Sequence, residues 1–159
     1  MILLTIGTQL PFDRLVKALD EMAPKVPHEI FAQIGISTYR PRNMQWAATL
    51  GPEQFETRFR EAAIIVSHAG IGTILSAQKH RKPIVIVPRL ARYGEHRNDH
   101  QLATTNQIKD KKGVYVATEF KALEVLLNRS DLESAHDDSE TSRRTDFVNN
   151  LRTYLATAT

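Results

Sequence analysis

Residues 64–75 read Ile64-Ile65-Val66-Ser67-His68-Ala69-Gly70-Ile71-Gly72-Thr73-Ile74-Leu75, and this stretch decides the fold. It opens with a short, apolar and β-branched run, which is typical of a buried strand. A turn with two glycines follows, and residues 73–78 are predicted to be helical. At such a turn the first N–H groups of the helix are free and the helix dipole is positive, so the turn favours an anion. Glycine also lets a phosphate approach the backbone, because it has no Cβ.

We interpret this turn as the cradle for the diphosphate of a nucleotide-linked ligand. The alternative is an ordinary turn between a strand and a helix that binds nothing, which is the commoner case. His68 at the carboxyl end of the strand favours the ligand, since ligands of open α/β sheets bind at that edge. His68 could donate a hydrogen bond to a phosphate oxygen, or it could cap the strand or pack in the core. Beside two glycines and a strand end, we favour the phosphate contact.

Composition limits the class of protein. The 159 residues are enough for one domain with a sizeable core, and the apolar (42%) and charged (25%) fractions are those of a soluble globular protein. The absence of cysteine excludes disulfides and thiolate metal sites. No apolar run approaches the roughly 20 residues that span a bilayer, and the first residues lack the basic flank of a signal peptide. We therefore expect a cytoplasmic protein, and the net charge of +3 is too small to indicate a nucleic-acid partner.

Strand patterns alternate with helical ones along the chain. Strands are predicted at 2–6, 29–34, 46–50, 64–68, 84–87 and 113–116, and helices at 12–22, 53–63, 73–78, 98–109 and 119–127. This alternation predicts a doubly wound parallel sheet of the Rossmann-like kind. Pro11 suits the first turn of the first helix, and Thr118 can cap the last one.

The chain is predicted to have three parts. Residues 1–128 form the domain and residues 129–142 form an exposed polar linker. Residues 143–159 form a short amphipathic helix with Phe147, Leu151 and Leu155 on one face. This helix either docks on a partner or packs back on its own domain.

Three further groups of residues are predicted at the same sheet edge. The turn Gly7-Thr8 lines the edge or is a plain tight turn. Asp99 and Gln101 offer a carboxylate and an amide, which suit sugar hydroxyls, although a helix-initial acid and a surface residue are the alternatives. The loop arginines Arg89, Arg92 and Arg97 could offset a diphosphate or an acidic sugar, or face an anionic membrane or a partner.

Several motifs are missing from the sequence. It has no Gly-Lys-Ser/Thr phosphate loop and no Asp-x-Asp pair. No histidine pair has the spacing of metal ligands with a carboxylate nearby, and there is no nucleophile elbow of a serine hydrolase. The sequence therefore indicates neither a metal nor another cofactor.

Three motifs in order carry a family resemblance: HAGIGTIL at 68–75, KPIVIVP at 82–88 and DHQ at 99–101. Together they resemble the donor-binding half of the GT-B glycosyltransferases, specifically the MurG-like family with its family 28 C-terminal domain. Residues 4–15 and 92–96 look most like the short single-domain type found as bacterial capsule and exopolysaccharide subunits such as PssE. That type also includes the soluble catalytic subunit of the eukaryotic dolichol-linked UDP-GlcNAc transferase.

The resemblance implies a UDP-sugar site with assigned residues. His68 and the amides around Gly70, Gly72 and Thr73 hold the diphosphate, and Gly7 and Thr8 close the site. Asp99 and Gln101 contact the donor sugar, and Arg92 is a further binding candidate. Ser76 stands where related enzymes often have a glutamate for the ribose hydroxyls, so ribose recognition is expected to be weaker.

The same resemblance implies an inverting hexosyltransferase that is one half of a two-component enzyme. A membrane-anchored partner supplies the acceptor half and recruits this chain to the inner face of the membrane. The same partner is a candidate source of the general base, which is not assigned to a residue of this chain. The acceptor is a lipid-linked saccharide in exopolysaccharide or capsule biosynthesis, and the 143–159 helix is the candidate docking arm. The alternative is a non-catalytic nucleotide-sugar-binding or structural subunit.

Overall fold

The structure, a computed structural model, describes residues 1–97 and 100–136, and for residues 100, 102 and 104 it describes the backbone alone. Within these residues the strands are β1 (Ile2–Thr5), β2 (Ile30–Gln33), β3 (Gln45–Ala47), β4 (Ile64–His68), β5 (Ile84–Val87) and β6 (Val114–Val116). The α-helices are α1 (Asp13–Met22), α2 (Pro52–Glu61), α3 (Ile71–Lys79), α4 (His100–Ile108) and α5 (Phe120–Leu127). Short 3-10 helices occur at Ala23–Lys25 and Ala91–Tyr93.

The strands form one parallel sheet in the order β3-β2-β1-β4-β5-β6, which confirms the predicted doubly wound architecture. The winding starts at β1, moves outward to β3 and then crosses to β4 on the other side of β1. The direction of winding therefore reverses between β1 and β4, at the centre of the sheet. In open α/β sheets, ligands bind in the crevice at the carboxyl ends of the strands that flank this reversal.

Both faces of the sheet are covered, as a parallel sheet requires. One face packs against α1 and α5, whose Leu15, Leu19 and Leu123 meet Leu4 and other strand residues. The opposite face packs against α2, α3 and α4 through residues that alternate with the first set; its members include Leu3, Phe59, Ile65, Ile74, Ala77, Ile84, Ile86 and Ile108. Because β1, β4 and β5 are buried on both faces, they are continuous apolar runs in the sequence.

The first helix begins later than the sequence predicts. Pro11 lies two residues before the first helical residue, Asp13, and Phe12 at the cap position has non-helical dihedral angles. The Pro11 carbonyl accepts a hydrogen bond from the Arg89 guanidinium, and the Phe12 N–H donates to the Ser37 hydroxyl. These long-range contacts hold Pro11 and Phe12 outside helical geometry, so the helix starts only after Phe12.

The predicted cap at Thr118 is wrong. Helix α5 begins at Phe120, and Glu119 occupies the cap position without a side-chain hydrogen bond to the helix. The chain before the helix is still paired with the sheet, because the Ala117 N–H donates to the Ile86 carbonyl at 2.9 Å. Because Ala117 is still paired with β5, the helix starts at Phe120, too late for Thr118 to be its cap residue.

Residues 132–136 correct the prediction of an exposed linker. Ala135 is fully buried, and its N–H lies 3.3 Å from the Lys82 carbonyl at the start of β5. The Glu133 N–H donates to the Tyr115 hydroxyl at 2.8 Å. The polar composition of this segment concealed one small apolar residue that fits tightly against Gly113. Residues 137–142 of the predicted linker and the predicted helix at 143–159 lie outside the described residues.

None of the helices in the described ranges is long and apolar enough to cross a membrane.

Candidate functional site

A cleft of about 310 Å³ opens at the carboxyl ends of β1, β4 and β5. Its lining comes from the loop after β1, the end of β4, the loop after β5 and the start of α4; the residues are Ile6, Gly7, Thr8, Gln9, Leu10, His68, Arg89, His96 and Gln101. A larger groove of about 590 Å³ lies at the opposite edge, next to Met1, Ile30 and Gln45. We place the candidate site in the smaller cleft, because it adjoins the winding reversal and the start of a helix.

Two glycines make room for the imidazole of His68. A Cβ on Gly70 would lie 2.4 Å from Nε2 of His68, and a Cβ on Gly7 would lie 3.1 Å from its Cε1. Gly7 also has a positive φ of 76°. The ring therefore lies across the backbone of both turns. A Cβ at residue 70 would displace the ring from this position whether or not a ligand is present.

Gly72 has a different environment. A Cβ there would meet nothing within 4 Å, although the residue is in the first turn of α3. The first turn carries no acidic residue and its cap has no side-chain hydrogen bond. The N–H groups of this turn lack helical partners by geometry, so the helix presents open space and a positive dipole end at Gly72 and Thr73.

His68 is held as a neutral imidazole. Burial is the largest cause that lowers its pKa from 6.5 to about 4, and the nearby charge of Arg89 lowers it further, against a hydrogen bond with the backbone of Thr5. The Ser67 hydroxyl donates to the Thr5 carbonyl at 2.9 Å and lies 3.5 Å from Nδ1 of His68. At neutral pH His68 can therefore offer a phosphate one N–H donor but no positive charge.

Gln101 joins two loops of the site. Its Oε1 accepts hydrogen bonds from the N–H of Arg89 at 2.9 Å and of Ala69 at 3.4 Å. The side chain is 9% exposed. The described contacts of Gln101 therefore hold the ends of β4 and β5 together at the cleft. Asp99, the other residue predicted to contact sugar, lies outside the described residues.

The other predicted residues differ in whether they line the cleft, and Gly70, Gly72 and Thr73 at the start of α3 are not among its lining residues. The Ser76 hydroxyl donates to the Gly72 carbonyl at 3.0 Å, so it is used inside α3. Thr8 is exposed and lines the cleft. Arg92 is exposed, stacks on the ring of Tyr93 at 4.9 Å and does not line the cleft. Of the three loop arginines, Arg89 is the one that lines it.

The sequence patterns missed a partly buried ion pair next to the cleft. Arg14 of α1 and Glu95 of the loop after β5 form two hydrogen bonds, of 2.7 and 2.9 Å. Arg14 also donates to the Pro88 carbonyl at 3.2 Å, and Glu95 accepts from the Leu90 N–H at 2.9 Å. The two partners are 81 positions apart in the chain, so no local motif could have indicated the pair.

Comparisons with known proteins agree with this geometry. Residues 1–152 match the family model of the glycosyltransferase family 28 C-terminal domain. No curated protein matches the chain in sequence.

Several solved structures share the fold at low sequence identity. SsfS6, a glycosyltransferase of Streptomyces sp. SF2575 complexed with thymidine diphosphate, is 20% identical with a TM-score of 0.59, and the match covers 82% of this chain and 33% of that one. The glycotransferase of kitacinnamycin is 16% identical with a TM-score of 0.61, covering 79% and 33%. MurG of Acinetobacter baumannii is 23% identical with a TM-score of 0.52, covering 78% and 39%. The chain thus spans between a third and two fifths of the length of these proteins.

Proposed function

Because the chain belongs to the glycosyltransferase family 28 C-terminal domain family, we propose that it is the donor-binding, catalytic subunit of an inverting glycosyltransferase that uses a UDP-sugar. One observation carries the proposal: the open, uncapped start of α3 at Gly72 adjoins His68 at the end of the central strand β4. A backbone site of this kind fits the diphosphate of a nucleotide-sugar. The thymidine diphosphate in the SsfS6 complex supports a ligand of the same chemical class.

The residues of the site suit the departure of a nucleoside diphosphate. As the bond from the anomeric carbon to the diphosphate breaks, negative charge grows on the leaving oxygen. The N–H groups at the start of α3 and the neutral imidazole of His68 can donate hydrogen bonds to that charge without first reorganising. A general base must remove the proton of the acceptor hydroxyl, and we assign that base to a partner subunit.

We propose that the acceptor half of the enzyme is a separate, membrane-anchored subunit. The support for this arrangement is the resemblance of residues 4–15 and 92–96 to the short single-domain type. The acceptor we propose is a lipid-linked saccharide in exopolysaccharide or capsule biosynthesis, at the inner face of the membrane. The segment 143–159 is our proposed docking arm, on the strength of its apolar spacing.

Gly72→Ala tests the diphosphate site. We expect this variant to bind UDP at least about tenfold more weakly, since a methyl group at the helix start keeps a phosphate from the backbone N–H groups. Stability should not fall, because the added Cβ meets nothing within 4 Å in the free protein and alanine favours a helix more than glycine does. Titration calorimetry gives the affinity, and thermal unfolding gives the stability.

Gly51→Ala is the matched control for that experiment. Gly51 is the cap residue of α2, whereas Gly72 is the second residue of α3, and a Cβ on Gly51 has only Gln54 Oε1 nearby, at 3.8 Å. It lies outside the proposed site, so Gly51→Ala should bind UDP as the wild type does. Equal UDP affinity in the Gly72→Ala variant and the wild type would contradict the proposed position of the diphosphate.

A second candidate function is a non-catalytic, structural subunit whose ligand site is vestigial. The bond from the Ser76 hydroxyl to the Gly72 carbonyl favours it, because a ribose would have to compete for a hydroxyl that is already engaged inside the helix. Transfer of a radiolabelled sugar separates the two candidates. We expect transfer when this chain and its membrane partner are combined, and none with either alone. Full transfer by the partner alone would establish the non-catalytic role.

A further inference from the structure

Arg89 is a buried cation that binds the loop after β1 from behind. The residue is 2% exposed. Its guanidinium donates to three backbone carbonyls of that loop: Ile6 at 2.8 Å, Leu10 at 2.9 Å and Pro11. The Cζ atom of the guanidinium lies 4.7 Å from the centre of the Phe12 ring. One side chain of the β5 end thus holds the whole loop from residue 6 to residue 11.

These contacts set the orientation of peptide groups in the cleft wall. In a planar trans peptide the carbonyl and the following N–H point in opposite directions, and all peptide bonds of the described chain are trans. Because the Ile6 carbonyl points toward Arg89, the N–H of Gly7 points away from it. The three carbonyl oxygens are partly negative, and the guanidinium turns them toward itself. Arg89 therefore lowers the negative charge that this wall presents to an anion.

The positive charge of Arg89 is also not neutralised by a carboxylate of its own. Burial is the largest cause that lowers its pKa, to about 10, so the guanidinium is still charged at neutral pH. The closest acidic influence is Glu95, but that carboxylate is already engaged in two hydrogen bonds with Arg14. Among the described residues, no carboxylate forms an ion pair with Arg89. The cluster of Arg14, Arg89 and Glu95 thus has an excess positive charge beside the cleft.

We propose that Arg89 is a positioning residue that holds the loop after β1 as one wall of the cleft and, from behind it, favours a diphosphate over an uncharged nucleoside. The residue does not need to touch the ligand, since its side chain is engaged with the backbone. The identity of the ligand rests on the proposed function. The effect of Arg89 on the cleft does not, because Arg89 acts on His68 in the free protein as well.

The test compares Arg89→Met, which removes charge and donors, with Arg89→Lys, which keeps the charge but loses the planar fork of donors. Two quantities are measured: the pKa of His68 by NMR in the free protein, and the affinities for UDP and for uridine by competition calorimetry. Arg60→Met, which removes an exposed cation of α2, is the control for loss of charge alone. Thermal unfolding and an amide NMR spectrum show whether each variant is folded.

In Arg89→Met we expect the pKa of His68 to rise from about 4 toward 6.5, because the second largest cause of its lowering is removed. UDP affinity should fall at least about tenfold, while uridine affinity changes less than about threefold, since only UDP carries the charge that Arg89 attracts. Arg89→Lys should keep the low pKa of His68 yet still weaken UDP binding, because one ammonium cannot replace the fork on three carbonyls. Arg60→Met should change none of these quantities.

Equal losses of UDP and uridine affinity in Arg89→Met would overturn the proposed preference for a diphosphate, because Arg89 would then affect the charged and the uncharged ligand alike. So would a pKa of His68 that does not move. Should Arg89→Met fail to fold, Arg89→Lys decides, and wild-type UDP affinity in that variant would refute the positioning role. If the wild type binds neither UDP nor uridine, the proposed function falls, and the His68 measurement still decides whether Arg89 acts on the cleft.

Discussion

Replacing Gly113 with alanine is expected to lower the free energy of unfolding by about 3 kcal/mol, from backbone strain and from a clash. Gly113 precedes β6 with a φ of 73°, a conformation that costs an L-residue about 1 kcal/mol or more. A Cβ would also lie 2.1 Å from the backbone nitrogen of Ala135, and backbone atoms cannot turn aside as a side chain can. The segment 132–136 must therefore leave its place, which exposes Ala135 and Leu132.

Gly94→Ala separates the two causes. Gly94 has a similar φ of 69°, but a Cβ there meets nothing within 4 Å. Urea unfolding of both variants should show a loss of about 1 kcal/mol for Gly94→Ala and the larger loss for Gly113→Ala. Faster proteolysis near residues 132–136 in Gly113→Ala would confirm that the segment is displaced. Equal destabilisation of the two variants would mean that the clash at Ala135 is relieved without cost.

The stability of the domain should depend on pH through His68. Its folded pKa of about 4 lies below the ordinary value of 6.5, so between these pH values the unfolded chain binds the proton that the folded chain excludes. The contribution of His68 to the free energy of unfolding is fully present above pH 6.5 and is lost as the pH falls toward 4. Integrated over this range, it amounts to at most about 3 kcal/mol.

His68→Asn isolates this contribution, because asparagine is polar but does not titrate in this range. We expect the difference in unfolding free energy between wild type and variant to shrink steadily from pH 6.5 to pH 4. The pKa values of Asp13 and Asp20 are lowered from 3.8, so these groups also make stability depend on pH at the acidic end. Both proteins contain them, so their effects cancel in the difference. A difference that stays constant over the whole range would show that His68 is not held neutral by burial.

The sequence predicted the fold well because the strands have strong local signals. β1, β4 and β5 are short apolar runs that end at glycine, histidine or proline, and these patterns need no knowledge of distant residues. The first residues of α1 and α5 were predicted less well. They depend on tertiary hydrogen bonds from Arg89 to the loop before α1, and from Ala117 to β5.

In the candidate site too, the residues with local signals were predicted and those that depend on distant partners were not. His68 and the two glycines after it were visible in the sequence, since strand, turn and helix are contiguous there. The roles of Arg89 and of the Arg14–Glu95 pair were not, because their partners are more than 70 positions away. Gly70 shows the limit most clearly. From the sequence we predicted that residue 70 lacks a side chain in order to admit a phosphate. The structure shows that the imidazole of His68 already occupies the space beside it.

The place of β1 in the sheet has a consequence for how the chain folds during synthesis. β1 is made before the other strands of the sheet. Its partner β2 follows 28 positions later, but its other neighbour is β4, 62 positions later. Until β4 leaves the ribosome, one edge of β1 has no strand to pair with. Closing so long a loop is slow compared with forming local helices. We therefore expect nascent chains that stop before residue 64 to need chaperones, and longer ones to acquire protease resistance once β4 is available.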